Sequence, residues 1–116
     1  MKIYLDANRP SSYNYPGQDW TEMTSYVEFR NKIDQLVQNR MGWISVVSFD
    51  NEINEVSGAD CLKYLVNKCV EHGAPLPKIY VHSENTGSYI QFENICDIYR
   101  NKTDRQYVLE SRRKFN

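Results

Sequence analysis

Trp43-Ile44-Ser45-Val46-Val47-Ser48-Phe49-Asp50 is the strongest strand signal in the chain. It is aromatic and β-branched, and its near-continuous apolarity suits a strand covered on both faces. It ends at an acid. Two other segments have the same form: Lys2–Ala7 (KIYLDA), which also ends near an acid, and Lys78–Ser83 (KIYVHS). Trp20–Thr24 is a shorter strand candidate. Between these runs the apolar spacing becomes helical. Val27, Phe29, Ile33, Leu36 and Val37 recur through Ser25–Asn39, with Ser25 placed to cap. Leu62, Leu65, Val66, Cys69 and Val70 form a stripe through Ala59–His72, closed by Gly73 and the Pro75/Pro77 break. Ile90, Ile95, Ile98 and Tyr99 mark a third helix over Ser88–Arg100.

Strands alternating with helices predict βαβ units, a parallel sheet and right-handed crossovers. The expected fold is α/β: four strands in the order 2-1-3-4, helices on both faces, and the Lys2, Trp43 and Lys78 strands in the centre. Asn8–Asp19, with Pro10, Pro16 and Gly17, reads as a loop. The expected core is Ile3, Leu5, Ile44, Val46, Phe49, Leu62, Leu65, Val66, Ile79, Val81 and Ile95.

With 116 residues the chain is expected to be one domain. Hydrophobic residues at 41% and charged residues at 25% exclude a wholly disordered chain. No apolar run reaches the ~20 residues of a membrane helix. The net charge of -1 lacks the signature of a nucleic-acid coat. Met1–Leu5 is too short and too soon interrupted by Asp6 for a signal-peptide core. Cys61, Cys69 and Cys96 form no C-x-x-C and read as reduced and buried, which points to a cytoplasmic location. Residues 1–101 are expected to form the domain and 102–116 a basic C-terminal tail, with Lys102, Arg105, Arg112, Arg113 and Lys114 set against Asp104 and Glu110. Its expected packing is looser than that of the rest. Tyr107-Val108-Leu109 within it is a candidate edge strand.

In open parallel sheets ligands bind beyond the carboxyl ends of the strands. Those ends deliver Asp6 and Arg9, then Asp50 and Glu52, then His82, Ser83 and Asn85. Carboxylates at Asp6, Asp50 and Glu52 suit a hard divalent cation such as Mg2+. Arg9 offers a planar fork for phosphate. His82 is a candidate general acid or base, with Asp50 as its catalytic companion. Ser83, Asn85 and the first amides of the last helix are candidate anion donors. A plainer account runs beside this: Asp6 as the cap of the next turn, His82 as a satisfied structural histidine, His72 as a partner of its helix carbonyls.

LDANRP, SFDNEI and VHSENTG resemble the three signatures of the cyclic-phosphate processing receiver-like domains, which typically read L-D-D-x-R-x-P, S-L-D-H-D-L-G and V-H-S-x-N-x-x-G. The resemblance covers roughly residues 2–100. It implies a receiver-like (flavodoxin-like) three-layer α/β domain with a mostly parallel sheet of four to five strands. It also implies recognition or processing of cyclic phosphates, and a bacterial or phage setting. Its site positions are Asp6, Arg9, Asp50, Glu52, His82, Ser83 and Asn85. Ala7 stands where the family usually has a second acid, Asn51 where it has histidine, and Glu52 where it has aspartate. These departures favour a domain that binds a phosphate-bearing small molecule, an RNA end or a protein partner without turnover. The alternative is a phosphodiesterase-like enzyme with His82 as acid/base.

Overall fold

The computed structural model describes residues 1–50, 52–53, 56–82 and 86–111, with the side chains of 52, 53 and 86–88 outside that description. Five strands form one parallel sheet in the order Thr21–Met23, Lys2–Leu5, Val46–Phe49, Lys78–Val81, Leu109–Ser111. They are β1 (Lys2–Leu5), β2 (Thr21–Met23), β3 (Val46–Phe49), β6 (Lys78–Val81) and β7 (Leu109–Ser111). A two-residue antiparallel pair, β4 (Glu52–Ile53) and β5 (Val56–Ser57), lies between β3 and the following helix. The helices are α1 (Ser11–Asn14), α2 (Tyr26–Leu36), α3 (Gly58–His72) and α4 (Thr86–Thr103). The order expected from the crossover rule is thus present, with a fifth strand added at one edge.

Alternation along the strands sorts side chains onto two faces. Ile3, Leu5, Val47, Phe49, Ile79 and Val81 join Phe29, Ile33 and Leu36 of α2, Leu62, Leu65 and Val66 of α3, and Phe92, Ile95 and Tyr99 of α4 in one apolar core. Phe49 contacts both Phe29 and Phe92, each at 5.7 Å between ring centres. All eleven expected core residues are buried. The opposite layer is thin. It consists of the one-turn α1 and the aromatic segment after it, where a pure loop was expected.

Several boundaries differ from the sequence reading. Trp43 is 60% exposed in a 3-10 turn (Met41–Trp43), and β3 starts at Val46. The turn places Ile44 in the core and Trp43 outside it. Val27 is exposed because the buried stripe of α2 follows Phe29, Ile33 and Leu36. Ile90 and Ile98 are exposed for the same reason, since α4 buries the Phe92, Ile95, Cys96 and Tyr99 side. Ser25 caps α2 as expected, its hydroxyl accepting from the Glu28 N–H. The Gly73 closure of α3 is left-handed (φ 63°), as expected of glycine at that position.

The boundary expected after residue 101 falls inside α4, which runs through Thr103. Tyr107 donates to Asp97 at 2.6 Å, Tyr89 donates to the Leu109 carbonyl at 3.3 Å, and β7 pairs with β6. Residues up to Ser111 thus add an edge strand to the sheet, yet none of 102–111 is fully buried, and Tyr107 and Leu109 only half-bury against the core, in keeping with the looser packing expected there. Arg112, Arg113 and Lys114 lie outside the described residues. Cys61, Cys69 and Cys96 are free and buried, and burial pushes each thiol up to about 12. Among the described residues no helix is long and apolar enough to cross a membrane.

Candidate functional site

Backbone pairing runs one residue past each central strand and sets the site residues side by side. Asp6 N–H bonds to the Met23 carbonyl, Asp50 N–H to Leu5, and His82 N–H to Phe49, each at 3.1 Å. Asp6, Asp50 and His82 each bring one ligand atom within 4.8 Å of the others, a grouping close enough to hold a metal ion. These are three of the rim residues that topology predicts.

The close approach at Asp50 depends on a glycine. A Cβ at Gly58, the first residue of α3, would lie 1.8 Å from the Asp50 carbonyl oxygen. The start of α3 thus packs directly against the backbone at the end of β3.

Asp6 is 4% exposed and is saturated with donors. Its Oδ1 accepts the N–H groups of Asn8 (2.8 Å) and Arg9 (3.0 Å), capping the turn after β1. Its Oδ2 receives the Tyr4 hydroxyl at 3.2 Å and lies 3.1 Å from His82 Nε2. Burial by itself would raise this carboxyl. The bonds from His82, Asn8 and Arg9 outweigh it and hold the group down at about 2. Tyr4 in turn accepts from Asn14 Nδ2 at 2.9 Å. Burial, opposed by Asn14 and reinforced by Asp6, raises the Tyr4 phenol well above the usual range.

His82 is also 4% exposed. Its Nδ1 lies 2.7 Å from Ser48 Oγ, which lies 2.8 Å from the Tyr15 hydroxyl. Tyr4 stacks on the imidazole at 4.5 Å and 15°. The proton order follows from Asp6. An ionised carboxylate only accepts, so Nε2 carries a proton and donates to it. In the neutral ring Nδ1 then accepts from Ser48 O–H, and Ser48 Oγ accepts from Tyr15 O–H. Both ring nitrogens are engaged inside the protein.

Arg9 is exposed, with its guanidinium 4.4 Å over the Tyr13 ring. The Glu52 side chain, Ser83 and Asn85 lie outside the described residues. The sequence reading misses Tyr4, Asn14 and Ser48, and it reads Tyr15, with Tyr13 and Trp20, as an exposed aromatic loop, whereas Tyr15 is buried. A signal for two of them exists: Tyr4 and Ser48 sit two residues before Asp6 and Asp50, and so share a sheet face with them.

The cyclic-phosphate processing receiver domain family has a model that matches residues 1–97. Among solved structures, one similar chain is a response regulator protein from Burkholderia pseudomallei, determined with a phosphorylated aspartic acid, a calcium ion and citrate. The identity is 12% and the TM-score 0.54, over 94% of this chain and 58% of that one, so this chain spans little more than half its length. Another is the response regulator domain of Thermotoga maritima CheB, at 11% identity and a TM-score of 0.56, over 90% of this chain and 96% of that one. At these identities the likeness establishes the fold, which is that of a response-regulator receiver. No curated protein matches the chain.

Proposed function

Because the chain belongs to the cyclic-phosphate processing receiver family, we propose that it is a receiver-like binding domain. It holds a phosphate-bearing ligand, a cyclic nucleotide or the cyclic-phosphate end of an RNA, where β1, β3 and β6 end. It does not turn that ligand over through His82. The observation that carries this reading is the engagement of His82. A general acid or base needs a nitrogen within reach of the reacting proton. Here Ser48 and Asp6 occupy both nitrogens, and the ring is 4% exposed.

The groups assigned to hold the ligand are then Arg9, Ser83 and Asn85. Arg9 brings an always-charged fork suited to phosphate. Tyr13, 52% exposed beneath it, offers a ring face to a nucleobase. Helix α4 starts at Thr86, shortly after His82, and its first N–H groups suit an anion. Three reduced cysteines fit a cytoplasmic setting. One observation favours the second reading, a phosphodiesterase: the Asp6–His82 pair has the form of an oriented base. That chemistry requires His82 to leave Ser48.

The test is calorimetric titration with 2′,3′-cyclic nucleotides and 3′,5′-cyclic nucleotides, followed by chromatography of the recovered ligand. Saturable binding with the ligand intact is expected. Arg9→Ala should weaken it by roughly 10-fold or more, the usual cost of losing a charged hydrogen bond. If neither ligand class binds, the phosphate reading fails and a protein partner takes its place. Ring-opened product would establish the phosphodiesterase instead.

A further inference from the structure

We infer that the strand-end site is built to work without a divalent cation, the His82 N–H filling the oxygen position that a cation would otherwise take. The inference concerns the bonding around Asp6. It stands whether or not a phosphate ligand binds at the rim.

The receiver fold and the 4.8 Å grouping of Asp6, Asp50 and His82 invite a metal. The donor chemistry speaks against one. Hard divalent cations bind through oxygen lone pairs, and Mg2+ demands near-octahedral geometry. A carboxylate offers about four acceptor positions. Asp6 already receives four donors: Asn8 and Arg9 main-chain N–H on Oδ1, Tyr4 and His82 on Oδ2. These donors already stabilise the negative charge that a cation would otherwise neutralise.

His82 has no lone pair to offer either. Its Nε2 carries the proton given to Asp6, and its Nδ1 is occupied by the Ser48 hydroxyl. Ser48 is fully buried, held by Tyr15 on its far side, and beyond the reach of an ion at the rim. The tautomer that saturates Asp6 is set by the ionised carboxylate, and the Ser48 hydroxyl fits it by donating to Nδ1. With Asp6 and His82 engaged, the three grouped residues offer at most one donor in place of three. For a cation to enter, Asp6 must give up Tyr4 or His82, each buried and stacked on the other.

The experiment titrates the intact chain with magnesium chloride and with calcium chloride in the absence of phosphate, by calorimetry and by thermal unfolding. The wild type should show no saturable heat and no cation-dependent rise in Tm at millimolar concentrations. His82→Ala opens one position on Oδ2 and should gain cation binding, at least about 10-fold above wild type, the scale on which such supporting groups act. If His82→Ala does not fold, His82→Phe takes its place: it keeps a ring to stack on Tyr4, removes the N–H from Asp6 Oδ2, and should gain binding in the same direction. Saturable wild-type binding that Asp6→Asn abolishes would overturn the inference. So would a folded variant that gains no affinity.

Discussion

On one face of the central sheet, Ile3, Leu5, Val47, Phe49, Ile79 and Val81 meet three helices through apolar contact alone. On the other, Tyr4, Asp6, Ser48 and His82 meet the short α1 segment through directed hydrogen bonds and stacked rings. The two faces use the same strands in the same register, one residue out of phase. Apolar packing is non-directional, so that face sets compactness and stability. Hydrogen bonds are directional and costly to leave unmade, so the polar face fixes where each atom sits. A site that needs Asp6 and His82 in one arrangement is better built on the second kind of surface. That surface carries a blemish: Trp20 Nε1 is buried without a partner among the described residues.

The contrast is broken most severely from the apolar side. Leu65 is fully buried on α3, and Leu65→Ala should cost roughly 2–5 kcal/mol, as a cavity in a close-packed core does. Urea unfolding measures it. A loss below about 0.5 kcal/mol would show that the helix layer is not the source of stability.

The polar face should show itself in acid. The Asp6 carboxyl sits at about 2 in the folded chain against an ordinary 3.8. A group lowered on folding stabilises fully above its unfolded value, and that stability is lost as the pH falls through its folded value. The window is therefore pH 4 down to about 2, and the loss about 2 kcal/mol. Asp6→Asn removes the titrating group, so the stability gap between wild type and variant should narrow across that window. A gap that stays constant with pH would detach Asp6 from the acid limb.

The sequence makes much of the apolar face legible, because helical and strand periodicities report burial, although the stripes miss Val47 and Phe92 and include the exposed Val27, Ile90 and Ile98. The strand order and the rim positions of Asp6, Asp50 and His82 follow from topology. The tail is harder to read. Leu109-Glu110-Ser111 has little strand character of its own and becomes a strand because the β6 edge supplies partners for its backbone. Trp43 misleads because a large ring next to a β-branched run looks like its first residue. The polar network is hidden for another reason. A serine inside an apolar strand or a tyrosine in a Pro-rich loop has no periodic signature, and its meaning lies in a partner far along the chain. Ser48 meets Tyr15 and His82 at separations of 33 and 34 residues.

The central claim is that His82 is held closed between Ser48 and Asp6, and that the rim binds without using it for chemistry. Long-range 1H–15N spectra of the imidazole, recorded as a 2′,3′-cyclic nucleotide is added, test it most directly. The account predicts a proton on Nε2 and an accepting Nδ1, unchanged through the titration while the nucleotide stays intact. A proton on Nδ1 with a bare Nε2, or a ring that changes tautomer as the cyclic phosphate opens, would contradict it.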